Sequence, residues 1–182
     1  PHCGPEYCRV AEPLRALLKP GAVFPPTSEQ NKAIQGLKDL AIAQHRLAVP
    51  DEAAAIEAAV AWQSGAPPAG RPYEVGADTS GYAIGAVAGQ CDKNNGKLNV
   101  LLYVTAHLKD HQRDWHPFEQ ELWGLLHAVK EKNKQLGRIA SINHTDHANL
   151  ARMDALPIER LEPKHYRWYT EVVSGGSLLL HR

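Results

Sequence analysis

The feature that most constrains this chain is a change in the spacing of its apolar residues across the Pro/Gly-rich stretch 64–72. Before that stretch, apolar residues recur at the three- and four-residue intervals of helices. After it, the segments 73–80, 84–90 and 97–108 alternate as strands do. Because prolines and glycines stop a helix, we predict a linker at 64–72 that separates a helical segment, 1–63, from a second domain.

The order of elements after the linker predicts an α/β domain. Asn95-Gly96, between the second and third strands, is a strong hairpin signal. A helix is predicted at 117–137, because the segment starts with Pro and ends with Gly, and a fourth strand runs into Asp146. A further helix and a closing strand follow. Three antiparallel strands, a helix, a strand, a helix and a strand predict a mixed five-stranded sheet with flanking helices.

The segment before the linker is predicted to be helical. Leu14, Leu17 and Leu18 recur at helical spacing in its first part. Thr27 and Gln30 then stand in the positions of a capping box, in which two side chains satisfy backbone N–H groups at a helix start. We therefore expect a second helix to begin just after Thr27.

The charge balance restricts the partners of the chain. Lys plus Arg and Asp plus Glu both number 20, so the formal net charge is zero. A dedicated nucleic-acid binder is usually basic, which argues against strong polynucleotide binding by this chain alone. Lys130, Lys134 and Arg138 recur every four residues on the long helix, a stripe that could contact a phosphate backbone. A solvated helix face is the commoner explanation of such a stripe.

Two further observations concern the cellular compartment in which the protein works. No apolar run approaches the roughly 20 residues that a membrane-spanning helix needs, so we predict no membrane span. The three cysteines are an odd number and lack the pattern of a secreted disulfide framework. Together these observations predict an intracellular protein.

The acids that could perform chemistry fall where elements begin and end. Asp78 is in the first strand, Asp146 ends the fourth, and Glu119 and Glu121 are in the first turns of the long helix. If the two strands are neighbours, the aspartates come together and one glutamate can approach them. Three such carboxylates repel one another unless divalent cations lie between them. Two ions about 4 Å apart are a known arrangement for phosphodiester cleavage.

Residue spacing alone leaves two questions open. Ordinary solvated acids would show the same spacing, and from spacing alone they are the commoner case. At about 100° per residue, Glu119 and Glu121 flank the apolar stripe at similar angles on opposite sides, so periodicity does not choose between them.

An aspartic protease is the competing interpretation of the segment around Asp78. Such an enzyme needs Asp-Thr-Gly or Asp-Ser-Gly without interruption, whereas here Ser80 separates Thr79 from Gly81. The alternation also continues on both sides, as in a hairpin rather than a catalytic loop. We therefore interpret Asp78 as a metal ligand.

Five blocks of the sequence resemble the ribonuclease H domain of gypsy-type LTR retrotransposon polymerase polyproteins. They occur in the order and spacing of that family: YEVGADTSGYAIGAVAGQ, LLYVTAHL, DWHPFEQELWGLLHAV, NHTDHANL and KHYRWYTEVVSGGSLLLHR. The resemblance implies a ribonuclease H-like α/β fold for 73–182. It also implies that 1–63 is a short helical connection segment, similar to the end of a reverse transcriptase.

The resemblance also implies roles for individual residues. Asp78, Glu121 and Asp146 match the metal-binding acids of the family and would hold two Mg²⁺ ions, with Mn²⁺ as a substitute. The implied reaction is hydrolysis of the RNA strand of an RNA–DNA hybrid, within a reverse transcriptase polyprotein. The fourth carboxylate of the family follows the last strand, and the sequence stops at Arg182 before it. We therefore expect the domain to be incomplete at its C-terminus.

Two non-catalytic alternatives remain open at this point. The chain could be a retroelement-derived scaffold, retained by a host and built into a larger host assembly, or a subunit that only positions a polymerase. A retroelement enzyme would work in the cytoplasm or nucleus, whereas a host-retained scaffold could work in an organelle.

Overall fold

The chain forms two compact units, Pro1–Arg46 and Leu47–Arg182. The structure is a computed structural model, and it describes residues 9–22, 24–44, 47–66, 69–155 and 162–181. The boundary between the units falls between residues 46 and 47, so the predicted linker 64–72, of which residues 67 and 68 lie outside the described residues, belongs to the second unit.

The first unit is helical. It contains a 3-10 helix at Glu12–Leu18 and helix α1 at Ser28–Gln44. The Gln30 N–H donates to Thr27 Oγ1 at 3.2 Å, and the Thr27 N–H donates to Gln30 Oε1 at 2.8 Å. Each side chain thus satisfies a backbone donor at the helix start, so the predicted capping box is confirmed.

The second unit is a five-stranded sheet with helices packed against it. Its strands have the order β3-β2-β1-β4-β5. Strands β1, β2 and β3 pair antiparallel, whereas β4 pairs parallel with both β1 and β5. The elements are α2 (Glu52–Ser64), β1 (Tyr73–Thr79), β2 (Ala83–Cys91), β3 (Leu98–His107), α3 (Asp110–Arg113), α4 (Pro117–Leu136), β4 (Ser141–Thr145), α5 (Ala148–Ala151), α6 (Pro163–Val172) and β5 (Leu178–His181). The predicted mixed five-stranded sheet is confirmed.

The hairpin between β2 and β3 closes at the predicted turn. Gly96 has a φ of +66°, a left-handed conformation that glycine adopts without steric cost. The Asp92 N–H donates to the Lys97 carbonyl oxygen at 2.8 Å and closes the loop. Within the described residues, no helix combines the length and the apolar character needed to cross a membrane.

Helix α4 supplies five of the eleven buried residues in the main apolar cluster. Its buried residues Leu122, Leu125, Leu126 and Val129 recur at helical spacing and form one cluster with Val75 of β1. Other members of this cluster come from α6 and from the segment after β4, so α4 is held between the sheet and α6. This packing fixes the direction of α4 relative to the ends of β1 and β4.

Helix α2 belongs to the second unit because of its small side chains. Ala55 is fully buried against Tyr73 and Leu101, in a separate apolar cluster. Asp51 caps α2 by accepting the Ala54 N–H at 3.1 Å. The same carboxylate forms an ion pair with Arg71, and so ties α2 to the start of the sheet.

Lys132 is the most buried charged residue of α4, with 1% of its surface exposed. Its Nζ donates to the Ile139 carbonyl oxygen at 2.6 Å. Burial lowers the pKa of Lys132 from 10.5 to about 8. The protein therefore holds an ammonium group at neutral pH in a place that disfavours its charge.

Replacing Lys132 with Met is expected to raise the free energy of unfolding at pH 7 by about 1–2 kcal/mol. Removing the buried charge saves about 3 kcal/mol, and the lost hydrogen bond costs about 1 kcal/mol. The unfolded chain holds more protons than the folded one between pH 8 and 10.5, so wild-type stability should rise with pH across that window. Urea unfolding at pH 7 and pH 10 measures both effects, with the half-buried Lys130→Met variant as control. A Met variant less stable than the wild type at pH 7 would contradict the prediction.

Candidate metal centre

The sheet brings Asp78 and Asp146 to the same edge. Strands β1 and β4 are parallel neighbours, and Gly76 of β1 is in register with His144 of β4. Asp78 and Asp146 each lie two residues further along, at the C-terminal ends of these strands. Strands β1 and β4 are therefore neighbours, as the meeting of Asp78 and Asp146 requires.

Helix α4 directs Glu121 towards the same edge. Burial and the negative charges of Asp146 and Asp78 together raise the pKa of Glu121 to about 7, although the Thr79 backbone N–H opposes the rise. Both aspartates therefore lie close enough to Glu121 for their negative charges to disfavour its ionised form. Such a set of oxygen ligands fits a hard divalent cation such as Mg²⁺ or Mn²⁺, which would relieve the repulsion.

Glu119, the other glutamate between which and Glu121 periodicity did not choose, has a different environment. Its carboxylate accepts hydrogen bonds from Lys164, from His165 Nε2 at 2.8 Å and from the His116 N–H at 3.3 Å. Burial alone would raise the pKa of Glu119, but the hydrogen bonds from Lys164 and His165 lower it to about 2. Glu119 thus links α4 to α6, whereas Glu121 faces the two aspartates.

A second acidic group lies beside this link. In the part of the chain that the structure describes, Glu119, Glu162 and His165 have ligand atoms within 4.8 Å of one another. The Lys164 ammonium contacts both carboxylates, so a cation already occupies this place. Among the described residues, the ligand atoms of Asp78, Glu121 and Asp146 do not all lie within 4.8 Å of one another.

Two positions near the acids were missed by the sequence analysis. Thr79 ends β1 and provides the N–H that opposes the raised pKa of Glu121. Gly124 lies on α4 where a β-carbon would overlap Thr79 Oγ1. A glycine in the middle of an amphipathic helix is the signal that could have identified this close approach.

The backbone of Asp146 has a further partner. His181 Nε2 of β5 lies 3.1 Å from the Asp146 carbonyl oxygen, and the His147 N–H donates to Thr145 Oγ1 at 3.1 Å. His144 Nε2 lies 2.9 Å from Glu74 Oε2, so this contact links β4 to β1. These contacts hold the end of β4 in place.

The basic stripe does not join the acids. Lys130 pairs with Glu171 at 3.1 Å and Lys134 with Glu131 at 2.5 Å. Lys130 follows Glu121 by nine residues, which corresponds to about 14 Å along α4 and to the opposite side of the helix. Lys130, Lys134 and Arg138 instead line a groove of about 660 Å³ near the C-terminal end of α4.

Comparison with known proteins identifies the family. A sequence model of the RNase H-like domain found in reverse transcriptase matches residues 69–173. No curated protein sequence matches the chain.

Several solved structures have a similar fold. The foamy viral protease-reverse transcriptase dRH in complex with double-stranded DNA has a TM-score of 0.60 and 13% identity, over 98% of this chain and 31% of that one. The prototype foamy virus protease-reverse transcriptase in its native form has a TM-score of 0.58 and 10% identity, over 99% and 22%. The foamy viral enzyme in complex with an RNA/DNA hybrid has a TM-score of 0.54 and 12% identity, over 97% and 22%.

This chain therefore spans about a third or less of the matched foamy viral chains. At these identities the likeness establishes only the fold, and the family model describes that domain as RNase H-like. Since the family model covers more than half of the sequence, the chain belongs to the family of RNase H-like domains found in reverse transcriptase.

Proposed function

We propose that this chain is the ribonuclease H part of a gypsy-type LTR retrotransposon reverse transcriptase, a metal-dependent endonuclease that hydrolyses the RNA strand of RNA–DNA hybrids. The observation that carries the proposal is the position of Glu121 beside Asp146 and Asp78 at one sheet edge, where burial and their negative charges raise its pKa to about 7. A protein gains nothing in stability from a buried carboxylate beside two others, so the arrangement is best explained by cations that bind there.

Asp78, Glu121 and Asp146 would hold two Mg²⁺ ions, or Mn²⁺ in their place. The ions supply Lewis-acid stabilisation of the charge that develops in phosphodiester hydrolysis. The chain itself orients the ligands: β1 carries Asp78, the Thr79 N–H donates to the Glu121 carboxyl, and His181 contacts the backbone of Asp146. Each acid is thereby held from a different element of the fold.

The proposed substrate is recognised mainly by its shape and by the 2′-hydroxyl groups of its RNA strand. Support comes from the foamy viral enzyme, whose structure has been determined with an RNA/DNA hybrid. The zero net charge implies that the rest of the polyprotein contributes much of the affinity for the hybrid. Lys130, Lys134 and Arg138 are at most a secondary contact, with a part of the nucleic acid far from the cleaved bond.

Cleavage of a labelled RNA–DNA hybrid in the presence of Mg²⁺ tests the proposal. The protein should be assayed both as the present chain and as a longer chain that continues past Arg182. Cleavage should require the metal and disappear in the Asp78→Asn variant. The matched Asp110→Asn variant removes a fully solvated carboxylate, exposed over 98% of its side chain, and should cleave like the wild type.

A non-catalytic scaffold in a larger host assembly is the second candidate. Zero net charge favours it, since a freely acting nuclease gains affinity from a basic surface. The same assay separates the two candidates: folded protein that binds no metal and cleaves no hybrid, even as the longer chain, would contradict the nuclease. An enzyme would be sought in the cytoplasm or nucleus, and a scaffold also in an organelle.

A further inference from the structure

Helix α4 approaches β1 most closely at Gly124. A β-carbon at this position would lie far inside van der Waals contact with Thr79 Oγ1, 3.4 Å from Thr79 Cβ and 3.6 Å from Ile84 Cγ2. Thr79 Oγ1 is itself buried and has no hydrogen-bond partner among the described residues. The hydroxyl therefore touches the helix without a bond that would explain its burial.

This contact lies beside Glu121. Gly124 follows Glu121 by three residues, and residues at this interval lie on the same side of a helix. The Glu121 carboxyl interacts with the backbone N–H of Thr79, the residue whose side chain meets Gly124. The separation of α4 and β1 at Gly124 therefore sets the distance between the Glu121 carboxyl and the end of β1.

We propose that Gly124 and Thr79 are positioning residues, which seat α4 against the end of β1 so that Glu121 joins Asp78 and Asp146 in binding a divalent metal. This inference rests on the proposed function, because it assigns the acids a metal. A side chain at position 124 would push the first turns of α4 outwards. Glu121 would then move away from the two aspartates.

The contact between Gly124 and Thr79 predicts that the effect of Gly124→Ala on stability changes sign when Thr79 is also replaced. Intrinsic helix propensity favours Ala over Gly, so Gly124→Ala should stabilise a helix that has room for the methyl group. In the wild type the overlap with Thr79 Oγ1 opposes this gain. In a Thr79→Ala background the new methyl group would lie 3.4 Å from the β-carbon of residue 79 and 3.6 Å from Ile84 Cγ2, both ordinary van der Waals contacts.

The experiment compares four proteins: the wild type, Gly124→Ala, Thr79→Ala and the double variant. Thermal unfolding without metal gives Tm, and isothermal titration with Mn²⁺ gives the metal affinity. We expect Gly124→Ala to lower Tm in the wild type and to raise it in the Thr79→Ala background. Mn²⁺ affinity should fall at least about tenfold in the single variant, as when an outer-shell partner of a ligand is lost. It should recover in the double variant to the level of Thr79→Ala.

The outcomes separate this inference from the proposed function. A Tm change of the same sign in both backgrounds, or wild-type Mn²⁺ affinity in folded Gly124→Ala, would overturn the positioning role. Wild-type protein that binds no Mn²⁺ would overturn the proposed function, and a sign reversal in Tm would then still support the close packing of Gly124 on Thr79. Recovery of both quantities in the double variant supports the inference in full.

Discussion

Replacing Glu121 with Gln is expected to reduce metal-dependent cleavage of an RNA–DNA hybrid by at least about a hundredfold. Loss of one carboxylate ligand weakens a metal contribution of several kcal/mol, and each 1.36 kcal/mol is a factor of ten in rate. Gln keeps the size of the side chain, so the packing of α4 is preserved. Initial cleavage rates at saturating Mg²⁺ measure the effect.

The same substitution should stabilise the metal-free protein. Burial and the charges of Asp146 and Asp78 raise the pKa of Glu121 from 4.5 to about 7, so the stability that its ionisation costs is lost as pH rises from 4.5 and is fully lost above pH 7. Gln removes the charge. A lower rate combined with a higher Tm is the expected signature of a residue retained for function at the expense of stability. Unchanged cleavage by Glu121→Gln would contradict the assignment.

Replacing Glu119 with Gln should lower stability but leave cleavage by the folded protein intact, in contrast to Glu121→Gln. The Glu119 side chain is 14% exposed and accepts hydrogen bonds from Lys164 and His165. Its pKa is lowered from 4.5 to about 2, which corresponds to about 3 kcal/mol of stability at neutral pH. We therefore expect Glu119→Gln to lose about that amount, while the remaining folded protein still cleaves hybrid.

The pH dependence provides a check on this prediction. Because the folded-state pKa of Glu119 is depressed, its contribution is fully present above pH 4.5 and is lost as pH falls towards 2. The difference in stability between the wild type and Glu119→Gln should therefore shrink over that window. Glu131→Gln, which breaks the more exposed pair with Lys134, should change stability little at any pH. A Glu119→Gln variant as stable as Glu131→Gln at pH 7 would contradict the role of Glu119.

The order of the elements could be predicted because its signals are local. Alternating apolar residues identify each strand, and Asn95-Gly96 identifies the hairpin without reference to the rest of the chain. The meeting of Asp78 and Asp146 needed one further assumption, the adjacency of β1 and β4, and the structure supplies it. The strands and the hairpin follow from short-range chemistry, whereas the adjacency of β1 and β4 does not.

Other parts depend on contacts between distant residues and could not be predicted from local patterns. Helical periodicity places Glu119 and Glu121 beside the same apolar stripe, and their different environments arise from Lys164 on α6 and from the aspartates. The division between the units likewise falls before α2, because Ala55 packs on Tyr73. A Pro/Gly-rich stretch shows where a helix ends but not which neighbour that helix packs against.

The parallel pairing of β1 with β4 has a consequence for biosynthesis. Sixty-eight positions separate Asp78 from Asp146 in the sequence (146 minus 78), so their meeting is a non-local event in folding. The β1–β2–β3 meander involves only neighbouring segments and can form earlier, since local contacts close with a smaller loss of chain entropy. A nascent chain that has emerged from the ribosome only as far as α4 therefore has Glu121 and Asp78 but no complete set of acids. Any metal affinity that depends on all three acids arises only after β4 has been synthesised and has paired with β1, so metal binding and the β1–β4 pairing should appear together.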